Sequence, residues 1–409
     1  MDEEPKKEWI RPWWLILIAG ILYGVWTLAT FLGGSNWRRG FLFLISGLIG
    51  FVLKYGPFGF TCSFRSMLSS GNFTQMRDMF FMIIVSTFFI NIFQIKNWVK
   101  HPLFFPEKDT FGLAHTPIGA SLAIGSFFFG IGMQLGSGCA TGTLVGMGEG
   151  AVKSWIVIWF FIIGATVGAT NSCYNWWSNL PQIEVAAIHW GYIILILVVL
   201  LLMTYLFDYV HFKINTKNQQ NINHAELLMS LDSPDDETSK VGDKFVYFNL
   251  RNFLVDVALA LLIAFFFLCD GQAIGVMGIF PAIGGQVLKW FGAKVDKWDY
   301  FIARPLPKNF MDADIFVSDL FIIFGAFLAS SIKRDFGILK PWPEYIKGIF
   351  GGFLMGLGGR MSGGCNIGSM LSGINSCSLH GFVWMGCAIV GSACVIVVDA
   401  LIEYIKRVR

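Results

Sequence analysis

Residues 125–146 read GSFFFGIGMQLGSGCATGTLVG, and residues 351–372 read GGFLMGLGGRMSGGCNIGSMLS. Aligned from Gly125 and Gly351 they share seven positions: Gly125/Gly351, Phe127/Phe353, Gly130/Gly356, Gly132/Gly358, Gly138/Gly364, Cys139/Cys365 and Gly142/Gly368. In a chain with 46 glycines some glycines align by composition alone, but composition does not also set cysteine on cysteine. Each copy has the same order: an apolar helix, a Gly/Ser break, a cysteine, then a short helix opening with Gly and Thr or Ser. Such a break cannot be a surface loop, because it is too apolar. Irregular backbone at membrane depth persists only inside protein or along a cavity.

The rest of the chain agrees with a membrane setting. Of 409 residues 55% are hydrophobic and 14% charged, against about 25% charged in soluble domains. The mean hydropathy is +0.61. A net charge of +3, spread along the chain, forms no basic face and argues against nucleic-acid binding. Apolar runs long enough to cross a bilayer lie near 12–34, 40–57, 79–98, 117–135, 152–172, 187–209, 252–270, 314–332, 346–362 and 379–402. By this count five crossings separate the two copies, and an odd number inverts the second one. Inverted repeats with interrupted helices are a transporter signature, with the interruptions at the substrate site. The competing reading of the glycines is close helix packing alone. The fold class expected is an all-α polytopic membrane protein of about ten transmembrane helices plus short half-helices, related by an inverted pseudo-two-fold repeat.

Four regions follow. Residues 1–39 carry an extension and the first span, and 40–210 the first half with a linking helix. Residues 211–250, rich in Asn, Gln, Asp and Lys, read as a flexible cytoplasmic linker, and 251–409 form the second half. With both termini in the cytoplasm, about 18 Lys and Arg fall inside and about 10 outside, as the positive-inside rule asks. A cell's plasma (inner) membrane is the expected location.

A third segment, KYGPFGFTCSFRSMLSSG at 54–71, breaks at Pro57 and Gly59, and Thr61, Cys62 and Ser63 open a short helix. Its counterpart in the second half, GQAIGVMGIFPAIGGQ at 271–286, has glycines and Pro281 but no cysteine. A helix that starts inside the membrane aims its free N–H groups and positive dipole end into the cavity, which suits an anion. Gly138 and Gly364 precede the cysteines at these starts, and Arg360 adds a full charge where copy one has Gln134. The competing reading pairs Arg360 with a buried acid, Glu149 or Asp270. A protonated thiol is a weak donor, suited to a soft, sulfur-bearing anion and to release after capture. Cys387 and Cys394 read as packing, and His101, His115, His189 and His380 as interfacial. No CxxC or His/Cys ligand spacing appears, so neither a metal nor a cofactor is expected. Nucleotide-binding and nucleophile-elbow motifs are missing as well. No span carries the acids of a proton relay, apart from single residues Asp256, Asp270 and Asp319, read as near interfaces.

The motifs FGFTCSFRSMLSSGN, GIGMQLGSGCATGTLVGMGEG and GLGGRMSGGCNIGSMLSG resemble those of the YeeE/YedE family of membrane proteins. The resemblance implies a waisted helical bundle with half-helices in inverted symmetry. In its best-understood branch it implies uptake of thiosulfate, relayed by three cysteines whose matching positions here are Cys62, Cys139 and Cys365. The first motif is closer to the YedE-like branch, associated with selenium metabolism, so a selenium or other sulfur species is the alternative cargo. The implied partners are a small inorganic sulfur or selenium anion, the lipid bilayer and a cytoplasmic sulfur-carrier protein. An alternative of another class is a membrane-embedded persulfide sulfurtransferase, against which the lack of a nearby general base in sequence counts.

Overall fold

The computed structural model describes residues 37–56, 59–95, 111–185, 187–229, 250–337 and 339–408, together with a few isolated positions. Its helices are α1 (Trp37–Tyr55), α2 (Phe60–Ser70), α3 (Thr74–Ile95), α4 (Ala120–Gly136), α5 (Ala140–Gly148), α6 (Val152–Gly168), α7 (Asn171–Ser178) and α8 (Trp190–Met229). The second half follows with α9 (Leu250–Asp270), α10 (Phe280–Trp290), α11 (Asp299–Ala303), α12 (Asp314–Lys333), α13 (Trp342–Met361), α14 (Ser372–Asn375) and α15 (His380–Val408). A short antiparallel pair, β1 (Ile118–Gly119) and β2 (Gln182–Ile183), ties the start of α4 to the loop before α8.

Among the described residues seven helical stretches are long and apolar enough to cross a membrane. An eighth is added if α6 and α7, bent by 69° at their junction, count as one span. The expectation of about ten spans includes two further runs. The run at 12–34 lies outside the described residues. The run at 346–362 is indeed a helix, α13, but Glu344, Lys347, Arg360 and its glycines lower its apolarity. A helix wrapped by other helices does not need an apolar outer face. Lipid exposure falls elsewhere, on Leu195, Leu202 and Leu206 of α8 and Val390, Val397 and Leu401 of α15. The backbone of 211–229, expected as tether, continues α8 as helix to Met229. That stretch lacks Pro and Gly, so nothing local ends the helix.

The centre is the antiparallel seam of α4 on α13. A Cβ added at Gly125 would stand 2.6 Å from the carbonyl oxygen of Gly358, and one at Gly132 would stand 2.7 Å from that of Gly351. Cβ atoms added at Gly351 and Gly358 would in turn crowd the carbonyls of Gly132 and Gly125. Only glycine permits backbones this close. On the flanks α6 packs on α13, with Gly164 against the Phe353 carbonyl, and α15 packs on α4, with Gly391 against the Phe127 carbonyl. In the same way α12 lies on α1 and α9 lies on α3. Phe129 stacks obliquely on Trp384, ring centroids 5.3 Å apart, and Phe161 meets Phe280 edge-on at 5.0 Å, closing the core around the seam.

Gly125→Val should lower thermal stability in detergent by about 1–3 kcal/mol or more, the usual cost of overpacking. Gly386→Val, where an added Cβ meets nothing within 4 Å, should leave the melting curve in place. Equal melting of the two variants would count against the seam.

Candidate functional site

Each copy of the repeat interrupts its helix for a visible local reason. In the first, α4 ends at Gly136 and Ser137 turns into the left-handed region at φ 61. Cys139 then caps α5: its sulfur accepts the Gly142 N–H at 3.4 Å, and its carbonyl accepts both the N–H and the hydroxyl of Thr143 at 2.8 Å. Lys153 anchors the break from outside, donating to Ser137 Oγ at 2.8 Å and pairing with Glu344 at 2.7 Å. In the second copy α13 runs to Met361, and Gly363 makes the turn at φ 77. Cys365 caps a wider turn, a π-helix over Asn366–Leu371 that leads into α14. Its carbonyl accepts the Ser369 N–H at 2.8 Å. Trp384 Nε1 donates to Ser362 Oγ at 3.0 Å, and Ser369 Oγ donates to the Ser362 carbonyl at 3.0 Å.

The two N-cap cysteines are buried, Cys139 at 3% exposure and Cys365 at 0%. Asn366 bridges the copies by a weak contact of its Nδ2 with Met133 Sδ at 3.9 Å. The third cysteine differs. Cys62 is exposed, in the first turn of α2, with Arg65 as its charged neighbour. A buried thiol therefore stands at each central break, while Cys62 occupies a separate, open position.

The other expected residues divide. Thr61 is buried with its hydroxyl unpartnered, and both amide atoms of Gln134 are buried without a partner. Ser63 is turned away, donating to the Gly59 carbonyl at 2.9 Å and the Gln75 carbonyl at 3.1 Å. Gly138 has room for a side chain, because an added Cβ would meet nothing nearer than 3.5 Å. At Gly364 it would stand 2.9 Å from the Ser369 nitrogen, so glycine is required there. Two groups had been overlooked: the Thr141 hydroxyl and Asn366 Oδ1, buried and unpartnered beside Cys139 and Cys365. Their signal was polarity directly after each cysteine. His380 is corrected from interfacial to buried, with Nδ1 2.7 Å from Ser378 Oγ. His101 lies outside the described residues.

Arg360 has neither acid expected of it. Glu149 pairs with Lys54 at 3.1 Å. Among the described residues no carboxylate meets Arg360; its Nη1 donates to the Tyr300 hydroxyl at 2.6 Å and its guanidinium lies 4.8 Å from the Tyr300 ring centroid. Arg304 approaches the same ring at 5.5 Å. Arg360 Nε is buried and unpartnered. A buried cation that no carboxylate meets among the described residues is hospitable to an anion. Among the described residues no cluster of His, Cys, Asp or Glu could hold a metal ion.

Comparison with known proteins agrees with this chemistry. A family model described as sulphur transport matches residues 55–394. The thiosulfate transporter TsuA of Spirochaeta thermophila is 26% identical over 355 residues, covering 83% of this chain and 92% of that protein. The protein of the same name in Escherichia coli is 25% identical over 355 residues, covering 81% and 87%. A probable transporter, YedE of Escherichia coli, is 28% identical over 138 residues, a third of each chain.

Tyr300→Phe strips Arg360 of its acceptor and should cost about 1–3 kcal/mol of stability. The double variant with Arg360→Met should recover most of that in a thermal double-mutant cycle. Strictly additive losses would show that the two side chains do not interact.

Proposed function

Because the chain belongs to the sulphur transport family, we propose that it is an integral membrane transporter of a sulfur-containing anion, with thiosulfate as its cargo. The observation that carries this reading is the pair of buried cysteines at the N-cap positions of interrupted helices, with orphaned polar groups next to them in the chain. Helix starts supply a fixed positive field without a bound counter-ion. Protonated thiols supply weak S–H donors that a polarizable sulfur anion can accept and then leave. In this account Cys62 receives the ion at its exposed position, and Cys139 and Cys365 pass it through the centre. Thr61, Gln134, Thr141 and Asn366 offer hydrogen bonds on the way, while Gly138 and Gly364 let backbone N–H groups approach. Ser63 positions the start of α2 instead of touching the ion.

The inverted repeat belongs to this proposal. Gly125 meets Gly358 and Gly132 meets Gly351, while the alignment equates Gly125 with Gly351 and Gly132 with Gly358. Gly164 meets Phe353 just as Gly391 meets Phe127, the residue aligned with Phe353. Reciprocal contacts of this kind are what a two-fold axis demands of a self-complementary interface. Since α4 and α13 run antiparallel, the axis lies in the membrane plane, and the site lies where it crosses the seam. Uptake across a plasma membrane, with both termini inside and hand-over to a cytoplasmic sulfur carrier, completes the reading. It describes transport, not catalysis.

Cys139→Ala and Cys365→Ala should each abolish uptake of labelled thiosulfate in cells that need it, with normal membrane insertion. Cys387→Ala and Cys394→Ala, on α15 away from the breaks, should transport like the parent. Unlabelled thiosulfate should compete better than sulfate, sulfite or selenite. Undiminished uptake by both of the first two variants would overturn the thiol relay, and stronger competition by selenite would reassign the cargo.

A further inference from the structure

Asp319 lies in the second turn of α12, and its side chain is 5% exposed. Both of its carboxylate oxygens are buried and without a hydrogen-bond partner, a state that no other acid among the described residues shares. Asp256, the other deeply buried acid, faces Asp78, which accepts a hydrogen bond from Asn252. Sequence reading had placed all three candidate acids near interfaces. For Asp319 the structure replaces that reading with a buried position on a half-open groove.

The surroundings are specific. Among the described residues Asp319 is the one ionisable side chain on a half-open groove of about 740 Å³, walled by Leu144 of α5, Ile158 and the exposed Trp155 and Trp159 of α6, and Phe280 of α10. Helix α5, which Cys139 caps, packs directly against α12, the helix that carries Asp319. The charged groups on the packed elements are engaged elsewhere. On α1, Arg39 pairs with Asp314 and Lys54 with Glu149 and Asp335. On α6, Lys153 pairs with Glu344, and on α10, Lys289 pairs with Asp296. The remaining titratable groups facing this region are the thiols of Cys139 and Cys365. An ionised carboxylate here would have neither donor nor counter-charge, the most costly condition for a buried acid. It would also repel an anion at Cys365. With a proton it is neutral and able to donate.

We infer that Asp319 is a proton-binding site and that a proton accompanies the anion across the membrane. The inference rests on the transport reading above. Carrying one negative charge into a compartment held 100 mV negative is opposed about fiftyfold, and thiosulfate carries two. A proton crossing with the anion offsets one of those charges. The step balances simply: the Asp319 carboxylate takes a proton from the side of higher acidity, the anion occupies the thiol site while the carboxyl is neutral, and both are released on the other side.

The test uses the full chain in vesicles clamped at zero potential. With acid outside and a difference of one pH unit, the parent should accumulate labelled thiosulfate about tenfold per coupled proton, and the lumen should acidify in step. Asp319→Asn should bind thiosulfate yet accumulate none above the outside level, and Asp319→Glu should restore gradient-driven accumulation. Asp256→Asn should still respond to the gradient. The inference is overturned if the parent accumulates thiosulfate without proton entry into the lumen, if Asp319→Asn still responds to the gradient, or if that variant loses thiosulfate binding. A parent that neither binds nor moves thiosulfate would instead defeat the transport reading itself.

Discussion

Backbone-to-backbone contact between α4 and α13 is the constraint from which the rest of the structure follows. Glycine sits against carbonyl at Gly125, Gly132, Gly351 and Gly358, so the two helices touch without intervening side chains. Because they run antiparallel, the ends at which they break point in opposite directions. Helices α6 and α15 then seal the two flanks with the same device, a glycine against a phenylalanine carbonyl. Packing of this kind draws on van der Waals contact rather than hydrophobic burial, which lipid cannot drive.

Breaking two helices inside such a bundle creates unpaired backbone that must be satisfied locally. The first break is closed by Ser137, Cys139 and Thr143, with Lys153 holding it from the side. The second is closed by Ser362, Ser369 and Trp384. Among the groups left over, those on Thr61, Gln134, Thr141 and Asn366 adjoin the cysteines in the chain or end the helix before them. An orphaned polar atom is costly in a protein interior. Its persistence at these positions fits a role completed by a passing ligand.

Charge is distributed by the same logic. The cations and acids at the membrane edges neutralise one another: Lys54 with Glu149 and Asp335, Arg77 with Asp208, Lys153 with Glu344. Two charges inside do not. Arg360 leans on a tyrosine hydroxyl and ring, and Asp319 has nothing. The low charge content of the chain thus leaves the centre to helix ends, thiols and these two residues.

What the chain determined by itself is local: membrane class, the apolar runs, the paired Gly-Cys breaks and the three cysteines within them. Each of these is written in residues close together in sequence, and propensity, hydropathy and turn chemistry suffice to read it. The repeat was legible for the same reason, since two copies can be compared without knowing where either lies. Only the tertiary structure decided which side chains meet. Tyr300 and Arg360 are 60 residues apart, and their pairing displaced both acids expected from sequence. Ser63, beside Cys62 in sequence, turned out to serve the backbone, and His380 moved from the interface to the interior. A helix such as α13, read from sequence as one apolar run among ten, is central because burial depends on neighbours rather than on its own composition. Asp319 carries the same lesson, since nothing near it in sequence announces that its carboxylate is buried without a hydrogen-bond partner.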